Sequence, residues 1–257
     1  MIDLHCHLLP GVDDGSRSVE QSVRVLQTMA AQGVTTVCLT PHLTVSEALN
    51  GIPPAHDAAF EQLAAAAPPE VRLTRGVELM LDRPFTAEVA AIPGIRLAGT
   101  NYVLVEFSRL VTTQAVEHAL YGVKALGVTP VLAHPERYSS FSPAAVARWR
   151  MLGAVMQVDA TTLLAESARG DRARQLLANG QADIAAADNH GDTRSLAAAR
   201  EFLVAHGGAE QAALLLETNP AAILEGAQLQ LVEPLTIKAS LLQRLRRFRR
   251  RLTSEEA

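Results

Sequence analysis

With 257 residues, 48% hydrophobic and 19% charged side chains, the chain has the make-up of a folded protein with one large core, which excludes intrinsic disorder for its body. No apolar run reaches the roughly 18 residues of a membrane span. The formal net charge of −4 is uneven: residues 238–252 hold seven basic side chains and no acid, leaving 16 basic against 25 acidic residues over 1–237, a net of −9 that argues against a nucleic-acid surface on the body.

The chain opens on MIDLHCHLLPGVDDG. A short apolar strand through Ile2 and Leu4 delivers His5 and His7 two residues apart, and at strand period both imidazoles fall on one side. The turn residues Pro10, Gly11 and Gly15 then shape a loop that brings Asp13 and Asp14 behind them. Nitrogen and carboxylate donors gathered at one strand end suit Zn, Mn or Fe better than Ca or Mg. Cys6 and Cys38 come early and no basic-plus-apolar leader precedes the histidines, which predicts a reducing, cytoplasmic setting without a structural disulfide.

Ser18 and Gln21 fit a capping box, and Val19, Val23, Leu26 and Met29 recur at helical spacing until Gly33. The β-branched run 34–40 predicts a strand that stops at Pro41-His42. Pro53 and Pro54 open an Ala-rich helix to about Ala67, and the strand 71–77 runs into Glu78. A short helix at 85–91 precedes a strand at 102–105 that runs into Glu106. A helix at 112–126 stops at Gly127, and the strand 128–133 delivers His134. Ser142 caps a helix to about Leu152, and the strand 154–158 delivers Asp159. A helix at 163–178 stops at Gly180, and the strand 183–187 delivers Asp188 and His190. Seven nearly continuous apolar strands alternating with helices predict a parallel sheet covered by helices. No GxGxxG or GxxxxGK[ST] follows the first strand, so the polar residues at the strand ends point to a distorted barrel with its site on that face.

Those strand-end groups are His5, His7, Asp14, His42, Glu78, Glu106, His134, Asp188 and His190. One ion takes three or four protein ligands, so this set predicts two or three clustered ions. Carboxylates such as Glu78 and Asp188 can bridge cations, and a cluster of this kind lowers the pKa of water and clamps a phosphoryl group. The competing reading is a polar plug in the barrel mouth, at a heavy cost in buried, uncompensated charge. His56, His118 and His206 fall in predicted helices and read as surface or satisfied imidazoles.

HCH at 5–7, DDG at 13–15, TPH at 40–42, GVE at 76–78, VEF at 105–107, AHPERY at 133–138 and ADNH at 187–190 resemble the polymerase and histidinol phosphatase (PHP) superfamily. Within it, the opening segment and HPERY are most similar to the bacterial manganese-dependent protein-tyrosine phosphatases encoded with capsule and exopolysaccharide genes. The resemblance spans residues 1 to about 226. It implies an α/β fold, a distorted (β/α)7 barrel, with the metal site at the C-terminal face of the strands, and two to three Mn2+ ions, with Fe or Zn as the other candidates. By motif position, His5, His7, Glu78 and Asp188 would hold the first ion, and Glu78 would bridge to a second held by Glu106 and His134. Asp14, His42 and His190 would hold the third. Arg137 and Arg194 would bind the phosphate. Asp159 matches no ligand position.

The implied activity is hydrolysis of phosphotyrosine on a protein, a membrane-associated bacterial tyrosine autokinase being the expected partner; the alternative is a small-molecule phosphomonoesterase such as a histidinol phosphatase. A cysteine mechanism does not fit, since an Arg six residues after the nucleophile is required and the positions reached from Cys6 and Cys38 are Val12 and Thr44. Residues 1–237 read as the catalytic domain. Residues 238–257 read as a basic amphipathic tail: Leu241, Leu242, Leu245, Phe248 and Leu252 share one helical face, and arginines from Arg244 to Arg251 carry the remainder. Such a tail could touch an anionic membrane surface, placing the protein at the periphery of the inner membrane, or pack on the barrel. An oligomer is compatible with the sequence, and no nucleic-acid partner is expected.

Overall fold

The structure is a computed structural model that describes residues 1–237; the tail expected at 238–257 lies outside the described residues. Nine short strands form: β1 (Ile2–Cys6), β2 (Thr36–Leu39), β3 (His42–Thr44), β4 (Arg72–Arg75), β5 (Glu78–Met80), β6 (Tyr102–Glu106), β7 (Thr129–Ala133), β8 (Val155–Asp159) and β9 (Ile184–Ala186). All pair in parallel, in one sheet of order β1-β2-β4 and a second of order β3-β5-β6-β7-β8-β9. These nine are the seven expected strands, two of them broken.

Both breaks have a local cause. Pro41 has no N–H to give to a ladder, yet the strand does not stop there as expected: it resumes at once, with His42–Thr44 in register with Glu78–Met80. Gly76 interrupts the next strand where the chain presses on Leu97; a Cβ on Gly76 would sit 2.9 Å from Leu97 Cδ2. Hydrogen bonds carry the pairing across, Gly76 N donating to Leu39 O and Glu78 N to Pro41 O, each at 3.0 Å. At the opposite margin Asp188 N donates to His5 O at 3.0 Å and His7 N to Asn189 O at 2.8 Å, which ties the end of β1 to the segment after β9.

Strand residues alternate between two apolar clusters. Val37, Leu39, Val103, Val105, Leu132, Met156 and Val158 pack outward under the helices with Leu26, Leu63, Leu120 and Trp149. Leu4, Cys38, Leu104, Val131, Val155 and Ile184 form a smaller cluster on the other face. Glu106 lies two residues beyond Leu104, and Gln157 and Asp159 two and four beyond Val155, so the pleat directs these polar groups to the side of the smaller cluster.

Three expectations within the helical segments need correction. Ser18 Oγ accepts from Gln21 N at 3.3 Å, but the reciprocal half of the capping box is displaced by one residue: Gln21 Oε1 accepts from Arg17 N at 3.0 Å rather than from Ser18 N, while its Nε2 donates to Gly191 O at 2.9 Å and fastens the Val19–Ala31 helix to the loop beyond His190. The helix expected at 163–178 is two, Ala160–Leu164 capped by Asp159 and Ala168–Ala178 capped by Ser167. The Arg174 guanidinium satisfies the freed carbonyls of Leu163 and Ala165, and a Cβ on Gly170 would stand 1.9 Å from Ala165 O, so this corner is built around a glycine. His56 is buried and its Nδ1 has no partner among the described residues, unlike the satisfied or surface imidazole expected. Burial pushes its pKa down.

Candidate metal centre

All nine strand-end groups meet at the carboxyl ends of the strands. His5 is the last residue but one of β1 and His7 follows that strand; His42 and Glu78 open β3 and β5; Glu106 closes β6; His134 follows β7; Asp188 and His190 follow β9. Glu78 is the hub. Its Oε2 lies 3.1 Å from His5 Nε2, 3.3 Å from His7 Nε2 and 3.0 Å from His42 Nδ1, and its Oε1 lies 3.0 Å from His134 Nε2. Asp188 Oδ1 stands 3.4 Å from His5 Nε2 and 3.3 Å from His7 Nε2. Asp14 Oδ1 is 3.4 Å from both His42 Nε2 and His190 Nε2, and Glu106 reaches His42 Nδ1 at 3.4 Å and His134 Nε2 at 4.0 Å.

Four overlapping donor groups result: His7, Asp14, His42 and His190; His5, Glu78 and His134; His5, His7 and Asp188; and His42, Glu78 and Glu106. Within each, the ligand atoms lie within 4.8 Å of one another.

Outer contacts fix which nitrogen each imidazole offers. His7 Nδ1 donates to Asp13 Oδ2 at 2.8 Å and His5 Nδ1 to Gln157 Oε1 at 3.0 Å, so both Nε2 lone pairs turn inward, 3.1 Å apart. Two lone pairs facing each other and a buried carboxylate repel unless positive charge stands between them. Glu78 Oε2 is fully buried and has no partner in hydrogen-bonding geometry despite three imidazole nitrogens around it. An orphaned carboxylate oxygen aimed into a nest of nitrogens, with only N and O donors nearby, fits divalent transition-metal ions.

The electrostatics say the same. Burial opposes ionisation of Glu78, but His5, His134 and His42 outweigh it and hold its carboxyl well below the usual range. Burial likewise opposes charge on His42, yet Glu106 and Glu78 raise it to about 10. The cluster draws positive charge, and His42 answers by holding a proton.

Beside the cluster opens a cavity of about 560 Å³. Arg137 projects into it from the turn after His134, its Nη2 held by both Asp159 and Asp188. Arg194 lines it too, Nη1 bonded to Asp188 O and 3.4 Å from Asp188 Oδ2 while Nε pairs with Asp192 at 3.0 Å. Both arginines singled out by sequence therefore stand beside the donor cluster.

The sequence alone singles out none of Gln157, Arg109 and Arg169, offers Asp13 only as an alternative carboxylate beside Asp14, and places Asp159 at a strand end without a role. Asp159 has two: its Oδ1 caps Thr161 N and Thr162 N, and its Oδ2 holds Arg137. Its place at a strand end is the signal that could have found it. Gln157 is accessible from the pleat, two residues before Asp159, whereas nothing local marks Asp13 over Asp14 or singles out the two arginines.

A family model described as "Capsular polysaccharide synthesis, CpsB/CapC" matches residues 1–225. The chain is 28% identical over 239 residues to the tyrosine-protein phosphatase CpsB of Streptococcus agalactiae serotype III, covering 88% of this chain and 98% of that protein. It is 31% identical over 144 residues to the tyrosine-protein phosphatase YwqE of Bacillus subtilis, an alignment that spans 53% of this chain and about half (55%) of that protein. Among solved structures, one from a study of B. subtilis YwqE and Streptococcus pneumoniae CpsB, described there as metal-dependent tyrosine phosphatases, matches with a TM-score of 0.78 at 24% identity, covering 93% of this chain and 100% of that one. The phosphotriesterase of Mycobacterium tuberculosis shares the fold more loosely, with a TM-score of 0.54 at 12% identity over 88% of this chain and 93% of that one.

Proposed function

Because the chain belongs to the CpsB/CapC family of capsular polysaccharide synthesis, we propose that it is a metal-dependent protein-tyrosine phosphatase acting on a tyrosine-phosphorylated protein, a membrane-associated bacterial tyrosine kinase of capsule or exopolysaccharide synthesis. The observation that carries this reading is Glu78 Oε2, buried and unpartnered amid three imidazole nitrogens at the edge of a cavity whose lining includes Arg137 and Arg194. In this reading the strands close as a distorted (β/α)7 barrel, residues 1–237 form the phosphatase domain, and two to three Mn2+ ions sit at its mouth. His5, His7, Glu78 and Asp188 would hold one, Glu78, Glu106 and His134 a second, and Asp14, His42 and His190 a third; the donor clusters support the first in His5, His7 and Asp188 and the third in full, whereas Glu106 clusters with His42 and Glu78, and His134 with His5 and Glu78.

When bound, such ions supply positive charge to a phosphoryl group and make water a competent nucleophile near neutral pH. The side chains do the remainder. Arg137, steadied by Asp159, presents its planar fork to two phosphate oxygens, and Arg194 offers a second cation from the opposite loop. Asp13 and Gln157 keep the Nε2 atoms of His7 and His5 turned to the cluster. The tyrosine phenolate, with a pKa of about 10, leaves with little help from an acid, so no side chain need form a covalent intermediate. The protein would work in the cytoplasm at the periphery of the inner membrane, with residues 238–252 supplying the contact and self-association compatible with it.

The experiment is phosphate release from a phosphotyrosine peptide by metal-stripped protein after separate addition of Mn2+, Fe2+ and Zn2+, with histidinol phosphate as the competing substrate. Turnover of the peptide restored by Mn2+ and exceeding that of the alkyl phosphate is expected. Turnover untouched by metal removal would overturn the reading, and a preference for the alkyl phosphate would favour the small-molecule alternative.

A further inference from the structure

Two more arginines reach this cavity and hold none of the cluster. Arg109, in the loop after β6, and Arg169, in the first turn of the Ala168–Ala178 helix, line its mouth and are exposed. Arg137 and Arg194 are engaged by Asp159, Asp188 and Asp192. Arg109 and Arg169, by contrast, make no side-chain hydrogen bond or ion pair among the described residues. In a body with a net charge of −9, two unpaired cations at one opening call for a reason. Arg169 also opposes the positive end of its own helix, so helix electrostatics do not account for it.

Their placement is fixed by the turn that carries Arg137. Ser139 N donates to Arg109 O at 2.8 Å, and the Arg172 guanidinium, one turn on from Arg169, donates to Tyr138 O at 3.0 Å and Glu136 O at 3.4 Å. Since β7 lies between β6 and β8, the segments that carry Arg109 and Arg169 flank the Arg137 turn on either side. A phosphotyrosine inserted toward Arg137 leaves its peptide across that rim, with neighbouring side chains within reach of both.

We propose that Arg109 and Arg169 select anionic residues on either side of the phosphotyrosine, so that the substrate segment is an acidic peptide; this rests on the phosphatase reading above. The attraction is between exposed charges, so it acts on encounter and binding more than on the chemical step.

The test uses Mn2+-loaded, full-length protein and three substrates: free phosphotyrosine, a phosphotyrosine peptide flanked by Glu, and the same peptide flanked by Gln. The Glu peptide should exceed the Gln peptide in kcat/KM by about fivefold, chiefly through KM, and added salt should shrink the ratio. In the double variant Arg109→Ala/Arg169→Ala the ratio should fall to about one with the loss confined to the Glu peptide, and Arg109→Lys/Arg169→Lys should restore most of it. A ratio unchanged in the Ala variant would overturn the proposal, as would an equal loss on free phosphotyrosine, which would place both arginines on the phosphate itself. Wild-type protein that hydrolyses none of the three would instead sink the phosphatase reading.

Discussion

Replacing Asp13 by Ala separates the parts of the site that bind from the part that orients. Asp13 belongs to none of the four donor groups; it accepts from His7 Nδ1 at 2.8 Å, from His42 N at 3.2 Å and, through Oδ1, from Gly15 N at 3.0 Å. Without it the His7 ring can rotate or change tautomer, and the loop loses two anchors. Partners of this kind are worth about 10–100-fold in metal affinity, or about 1.4–2.7 kcal/mol. Three hydrogen bonds, one of them to an imidazole, place Asp13 toward the upper end. Metal-stripped protein titrated with Mn2+, with free ion followed by electron paramagnetic resonance, should show that loss, while kcat at saturating Mn2+ stays within about threefold of wild type. Asp13→Asn should fall between, since its carbonyl can still accept from His7 and His42 N but its amide meets the N–H of Gly15. Burial opposes ionisation of Asp13, but His7 outweighs it and holds the carboxyl below its usual value. Its contribution is therefore present above the ordinary carboxylate pKa and is lost as pH falls through the depressed folded value. Unchanged affinity in Asp13→Ala, or a collapse of kcat with affinity intact, would refute the orienting role.

Three other substitutions follow from the same geometry. Gly15→Ala would put a Cβ 2.0 Å from His7 O and 2.6 Å from His7 Cβ, so the loop must shift; a stability loss of about 1–3 kcal/mol by chemical denaturation and weaker Mn2+ binding are expected, and a variant as stable as wild type would count against this packing. His134 has φ 33°, so His134→Ala and His134→Gly should both lose turnover, yet Gly should be the more stable by about 1 kcal/mol in thermal melts, the reverse of the usual order in regular structure. Burial pushes the Cys6 thiol well above its ordinary pKa and Cys38 up to about 11, so iodoacetamide at pH 8 should leave native protein active and Cys6→Ser should keep most of its turnover; stoichiometric labelling with loss of activity would reopen a thiolate mechanism.

What the sequence reveals is the set of strand ends, because each apolar run is punctuated by a His, Asp or Glu and the period of the run is unambiguous. It therefore exposes the nine cluster residues, although spread from His5 to His190, along with Arg137 and Arg194 through their motifs. It conceals whatever depends on contacts between distant segments. Gln21 looks like half of a capping box until its Oε1 takes Arg17 N in place of Ser18 N and its Nε2 reaches Gly191. The helix expected at 163–178 looks continuous until Arg174 and Gly170 turn its corner. Pro41 looks like a terminus, but hydrogen bonds from β5 carry the strand past it. Asp13 and Asp14 are neighbours of the same type, and only the loop's path decides that one braces His7 while the other faces His42 and His190.

Backbone conformation at two of these ends explains how so many donors reach one point. His134 and Asp188 both adopt left-handed backbone, at φ 33° and 50°, His134 directly after β7 and Asp188 two residues beyond the end of β9. Non-glycine residues there carry a cost of about 1–2 kcal/mol, tolerated only where surrounding contacts over-determine the turn. At Asp188 those contacts are its N–H to His5 O, its carbonyl to His190 Nδ1 at 2.9 Å and to Arg194, and its carboxylate to Arg137. One residue thus joins the segment after β9 to β1, aims His190 and anchors both arginines. Glycine would relieve the backbone and forfeit the carboxylate. That the chain keeps a charged side chain in a conformation suited to glycine is a reason, independent of the motifs, to place the chemistry at this corner.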